Sequence, residues 1–144
     1  RQPISALKVV ISGFFDSIGL YRPASDEQKA IAGKWLQTLN LEYLAENDFL
    51  KLSYGQQRMI LIARAMVKSP SLLILDEPCQ RLDPHNRTQI LKIIDLIGSG
   101  TPTQILYVTH SPEDLLHCLD YELRFLKQED GTYKVRKTKL KSLQ

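Results

Sequence analysis

Two continuous apolar runs, Leu72-Leu73-Ile74-Leu75 and Ile105-Leu106-Tyr107-Val108, restrict this chain to very few folds. Each is too short for a helix and lacks the polar alternation of a half-buried strand. Runs of this kind suit strands buried on both faces. The first is bounded by Pro70 and Pro78. Between the two, Asp83 and Pro84 supply an N-cap and a first-turn residue, and Ile90, Leu91, Ile94 and Ile97 recur at helical spacing as far as Gly98. Strand, helix and strand make a βαβ unit, and its right-handed crossover makes the strands parallel. The fold class is therefore α/β.

The segment before this unit reads as mostly helical. Ser25 and Gln28 form a capping box, followed by Ile31, Trp35, Leu36 and Leu39 at helical spacing until Asn40. A second box, Ser53 with Gln56, opens the periodic stretch Ile60, Ala63, Val67, which stops before Pro70. After the second apolar run the sequence predicts a short helix capped by Ser111 and Pro112. A terminal hairpin of Glu122 to Leu126 and Thr132 to Val135 then turns at Asp130-Gly131. Two parts result, a helical one over 1–70 and a sheet-bearing one over 71–144. At 144 residues and 43% hydrophobic content the chain is large enough for one core.

In open parallel sheets, ligands bind beyond the carboxyl ends of the strands. Here the first strand finishes at Asp76-Glu77 and the second at Thr109-His110, so two carboxylates and an imidazole share one sheet edge. A buried run ending in Asp-Glu has the form of a Walker B element, in which the Asp holds Mg²⁺ and the Glu polarises an attacking water. Alone, that pattern also fits a solvated acidic turn. The stretch Leu52-Ser53-Tyr54-Gly55-Gln56-Gln57-Arg58 adds a helix N-terminus, whose unpaired N–H groups and dipole favour phosphate.

With these residues in place the sequence resembles an ATP-binding-cassette (ABC) ATPase. Leu52 to Gln56 matches the LSGGQ signature, Leu72 to Glu77 the Walker B strand, Leu82-Asp83 the D-loop and His110 the switch histidine. The resemblance is closer still to the second cassette of molybdate-associated tandem ATP-binding proteins, through Phe15 to Gly19 and an LSWGQQR-like signature. It covers essentially the whole chain. Tyr54 stands where the family has a first signature Gly, and Gln80-Arg81 where its D-loop has small residues. The resemblance implies that Glu77 positions the water, His110 contacts the γ-phosphate and Asp76 organises Mg²⁺ through water. It further implies that Asp83 lies at the cassette interface, and that Ser53, Gly55 and Gln56 serve ATP held by an opposing cassette.

No G-x-x-x-x-G-K-[ST] phosphate loop occurs in the sequence. The chain is accordingly read as the C-terminal part of one cassette, the helical signature subdomain plus part of a RecA-like sheet. The intact parent would use ATP and Mg²⁺ as an ATP hydrolase, whereas this chain alone should hold neither tightly and should be inactive. The implied partners are another cassette, a membrane permease and, through the uncovered strands, further copies of the fragment. Molybdate transport is the first functional reading. A soluble tandem ATPase acting on nucleic acid or ribosomes, and a non-catalytic interaction module, are the alternatives.

Charge and cysteine content narrow the classes further. The net charge of +3 comes from Lys134, Arg136, Lys137, Lys139 and Lys141; without them the rest is slightly acidic. That run reads as a solvated strand or tail rather than a nucleic-acid patch, because Tyr133 is its one neighbouring aromatic. Cys79 and Cys118 lie far apart without a CxxC, which suits reduced core thiols. No apolar run approaches the ~20 residues of a membrane-crossing helix and no signal peptide opens the chain. A cytoplasmic protein, peripheral on the inner membrane face, is expected.

Overall fold

The computed structural model describes residues 3–15, 23–114 and 116–140. All of the Phe15–Gly19 stretch beyond Phe15, and Lys141 of the basic run, lie outside them. Among the described residues four α-helices, α1 (Ala6–Ile11), α2 (Asp26–Thr38), α3 (Tyr54–Met66) and α4 (Pro84–Gly100), combine with four strands, β1 (Leu72–Asp76), β2 (Gln104–Val108), β3 (Tyr121–Lys127) and β4 (Tyr133–Lys139). The fold is α/β, as the sequence predicts.

Each long helix begins where its side chains can satisfy the first-turn N–H groups. Ser25 and Ser53 accept from the backbone N–H of Gln28 and Gln56 at 3.1 and 3.2 Å, and both glutamines reach back to the cap N–H at 3.0 Å. Asp83 caps α4 by accepting from the Asn86 N–H at 3.0 Å, with Pro84 as first helical residue. At its far end α2 closes in a Schellman turn. Asn40 takes the left-handed conformation (φ 55°), its N–H donates to the Gln37 carbonyl, and the Leu41 N–H donates to the Leu36 carbonyl at 2.7 Å. Leu36 and Leu41 are both buried, so the turn carries its apolar contact with it.

One apolar cluster joins the helices to the βαβ unit, with Val10, Leu36, Leu44, Ile60, Met66, Ile90, Ile94 and Ile97 fully buried. Strands β1 and β2 pair in parallel, Leu72 opposite Gln104 and Asp76 opposite Val108. The burial on both faces that such runs suit is not found, whereas the uncovered strands expected of a chain without a phosphate loop are. Leu73 and Leu75 face the cluster, but Leu72, Ile74, Leu106 and Val108 remain 44–60% exposed on the other side. A run of apolar residues marks what a strand could bury, and among the described residues the helices cover only one face.

The predicted helix after Ser111 is also absent among the described residues. Ser111 to Asp114 form a turn closed by the Asp114 N–H on the Ser111 carbonyl, and farther on the His117 and Cys118 N–H groups donate to Asp95 Oδ1 of α4 at 2.7 and 2.9 Å. Side-chain acceptors take the donors that a helix would have used. The hairpin forms as predicted but runs longer, with Tyr121 opposite Lys139 and Lys127 opposite Tyr133. Gly131 supplies the positive φ (82°) at its turn, and Asp130 Oδ1 accepts from both the Thr132 N–H and hydroxyl. Every residue of β4 is exposed, so the described part of the basic run is a solvated strand. No helix among the described residues is long and apolar enough to cross a membrane.

Candidate functional site

The parallel register sets Asp76 beside Val108, so the residues that follow both strands emerge at one edge. The Glu77 N–H extends the ladder by donating to the Val108 carbonyl at 2.9 Å. Glu77 itself is left-handed, with φ 47°, a conformation that costs a non-glycine residue about 1–3 kcal/mol unless its surroundings impose it. The turn aims the carboxylate across the sheet edge. Glu77 Oε1 accepts from the His110 backbone N–H at 3.1 Å and lies 2.6 Å from His110 Nδ1. Asp76, the last residue of β1, leaves its side chain open to solvent.

The Glu77 hydrogen bond, followed by its charge, raises the His110 pKa above the ordinary 6.5. In the protonated ring Nδ1–H donates to the carboxylate. Because the folded value is the higher one, the pair's contribution to stability is fully present below about pH 6.5 and fades as pH rises through the folded pKa. Titration of His110 followed by NMR should therefore give a midpoint above that of a free imidazole, and Glu77→Gln should bring it back. An unshifted midpoint in the unaltered chain would show that the pair does not persist in solution.

Helix α3 reaches this edge by two routes. Gly55 is buried against α4, where an added Cβ would stand 2.5 Å from Asn86 Cγ. Asn86 in turn donates its amide to Asp83 Oδ2 at 2.6 Å, so the missing side chain at 55 lets the start of α3 meet the Asp83 cap. These two hydrogen bonds from Asn86, the backbone one foremost, hold the Asp83 carboxyl below the usual range. The second route is Arg58. Its Nη1 donates to the Glu77 carbonyl at 3.0 Å and to the Pro78 carbonyl, while Nη2 donates to the Tyr54 hydroxyl at 2.6 Å.

Behind the edge lies a hub that the sequence reading missed. The side chain of Asp114 is 2% exposed and accepts from Arg87 Nε at 2.8 Å, Tyr107 hydroxyl at 2.7 Å and Thr109 hydroxyl at 2.7 Å. Burial alone would raise its pKa, but the hydrogen bonds from Tyr107, Thr109 and Arg87 together hold it below the ordinary value. Thr109 also accepts from the Ser111 N–H, so the hub fixes the backbone on both sides of His110. A signal was present: a tyrosine inside an otherwise apolar strand needs a partner for its hydroxyl. Both cysteines are free thiols whose pKa burial pushes up, Cys118 to about 12, consistent with unreactive core residues.

The structure thus joins Glu77 to His110 directly, and Gly55 to Asp83 through Asn86. Among the described residues no hydrogen bond runs from Ser53 or Gln56 to the Glu77–His110 pair; Arg58 is the link. No group of three or more His, Cys, Asp or Glu side chains is arranged as a metal cage among them. The donors suit two separate half-sites: the exposed carboxylate of Asp76 suits Mg²⁺, and the helix N-terminus at Ser53 suits phosphate. The backbone phosphate cradle is not in the sequence.

A profile of the ABC transporter family matches residues 4–80. The ABC transporter ATP-binding protein ModF of Escherichia coli K12 is 45% identical over 97% of this chain, which spans 29% of ModF. The molybdate import ATP-binding protein MolC of Haemophilus influenzae is 34% identical over 86% of the chain, which spans 49% of MolC. Among solved structures, MJ1267, an ATP-binding cassette of an ABC transporter, superposes with a TM-score of 0.77 at 20% identity, covering 94% of this chain and 55% of that one. That last likeness shows the fold. The chain spans less than two thirds of each of these three relatives.

Proposed function

Because the chain belongs to the ABC transporter family, whose relatives here are ATP-binding proteins, we propose that it supplies the signature helix and the hydrolytic carboxylate of a cassette that cleaves ATP. The observation that carries this reading is the Glu77–His110 pair at the common carboxyl end of two parallel strands. Glu77 accepts a proton from water as it approaches the γ-phosphate, and His110 holds the carboxylate by its backbone N–H and ring. Mg²⁺, when bound, offsets phosphate charge, and Asp76 is the residue that would hold it, through water. Ser53, Gly55 and Gln56 present a helix N-terminus to phosphates held by a second cassette, and Asp83 faces that cassette. Residues 1–70 act as the signature-bearing part and 71–144 as part of the sheet core.

For the protein that carries this chain, molybdate is the transported substrate and a membrane permease the partner, on the cytoplasmic face. The similarity to ModF and to the molybdate importer MolC supports that choice. The 144-residue chain alone should neither hydrolyse ATP nor hold Mg·ATP tightly, since it has no phosphate-loop backbone or lysine. Joined to a P-loop segment in one polypeptide, it should hydrolyse ATP. Phosphate release assayed for both proteins decides the matter. A steady rate from the chain alone that disappears in Glu77→Gln would overturn the reading, as would no hydrolysis with the P-loop restored.

A further inference from the structure

We propose that Tyr54 and Arg58 form a clamp that sets the position of Glu77, so that the N-terminal end of the signature helix governs the geometry of the carboxylate. The inference rests on the reading of Glu77 as the hydrolytic carboxylate. Tyr54 and Arg58 stand four residues apart on α3 and are therefore neighbours on its surface. The guanidinium carbon lies 4.5 Å from the centre of the Tyr54 ring, and one terminal nitrogen donates to the phenol oxygen. The other donates to the carbonyls of Glu77 and Pro78, residues nineteen and twenty positions away in sequence.

Those two carbonyls belong to the turn in which Glu77 is left-handed. The Glu77 carbonyl also accepts from the Gln80 N–H at 3.1 Å, so its direction is fixed from both sides. Without Arg58 one of those sides is lost, together with a donor to the buried Pro78 residue. The left-handed turn then relaxes toward the conformation an L-residue prefers, and the carboxylate leaves His110. A lysine cannot replace the arginine, because a single ammonium lacks the planar fork that reaches phenol and carbonyls together. Tyr54 is the exposed end of the device. It is 54% accessible at the first position of α3, where anything docking on that helix end would touch it. Arg58 and Tyr54 are positioning residues; neither touches a reacting atom.

The test is NMR of the full 144-residue chain, reading the ring ¹⁵N shifts and backbone amide of His110, together with thermal melting. Arg58→Ala and Arg58→Lys should both lose the carboxylate-bonded ring signature, leaving free-imidazole shifts. Tyr54→Phe should weaken it and Tyr54→Leu should remove it. Met59→Ala, which truncates a buried side chain on the same helix, should lower the melting temperature and leave the His110 signature in place. In the P-loop-joined protein, Arg58→Lys should reduce kcat by up to about 10²-fold, as small misplacement of a reacting group does, with KM for ATP unchanged. An unchanged His110 signature in folded Arg58→Lys, or an equal loss in Met59→Ala, overturns the clamp. Full ATP turnover in Glu77→Gln would instead overturn the hydrolytic reading, and the NMR result on the clamp would stand apart from it.

Discussion

In a polypeptide that joins this chain to a P-loop, Glu77→Gln should lower ATP turnover by roughly 10²- to 10⁴-fold while leaving nucleotide binding near normal. Glutamine matches glutamate in shape and keeps an oxygen able to accept from the His110 N–H, which sits 3.1 Å from Oε1 in the unaltered protein. The backbone contacts that impose the left-handed turn involve the residue's N–H and carbonyl rather than its carboxyl. What disappears is the group able to take a proton from water. Binding and chemistry should therefore separate, with ATP retained and little phosphate released. Steady-state turnover beside a nucleotide-binding isotherm makes the comparison, and near-normal turnover would move the base away from Glu77.

Asp114→Ala should damage the fold strongly, lowering stability by about 2–4 kcal/mol, because two part-buried hydroxyls are left without an acceptor while Arg87 keeps Glu113 as a partner. Arg87, whose side chain is 23% exposed, would lose its bond to a nearly buried carboxylate, and the hydroxyls of Tyr107 and Thr109 would lose their acceptor. Against a typical total of roughly 5–15 kcal/mol, such a loss leaves little margin. The pH dependence has a definite sign. The Asp114 pKa is lower in the folded chain than its ordinary 3.8, so its contribution is present above about pH 3.8 and is lost as pH falls through the folded value. Urea denaturation of Asp114→Ala near neutral pH tests the magnitude. A loss below about 1 kcal/mol, the range of an exposed pair, would show that the hub is wetter than its geometry implies.

These two residues differ in how far the sequence announced them. The place of Glu77 at the sheet edge beside His110 was legible because local signals converge on it: a terminating apolar run, a following proline, and a second run ending in Thr-His. The capping boxes at Ser25 and Ser53, the Asp83-Pro84 helix start and the Asp130-Gly131 turn were legible for the same reason, since each rests on residues within a few positions of one another. Asp114 and Arg58 act over long separations, on Arg87 and on the Glu77 carbonyl, and no short-range pattern marks such pairings. Ser111 illustrates the converse: its local pattern favoured a helix, and hydrogen bonding to distant side chains took the backbone elsewhere. The bare face of β1 was legible from the absent phosphate-loop segment and not from the apolar run itself, because an apolar residue does not encode which neighbour covers it.

That one-sided burial has a thermodynamic consequence. Leu72, Ile74, Leu106 and Val108 are already wet in the native chain, so unfolding exposes less new apolar surface than the length suggests. The heat-capacity increment should fall below the roughly 1.7–2.2 kcal/mol/K implied by average per-residue values, and the denaturant m-value should shrink with it. A smaller increment flattens the curve of free energy against temperature. Stability would then vary less between cold and warm conditions than in a chain of equal length with both sheet faces covered. Replacing any of the four with threonine would alter that curve far less than the same replacement at Leu73 or Leu75, where the side chain is removed from water on folding.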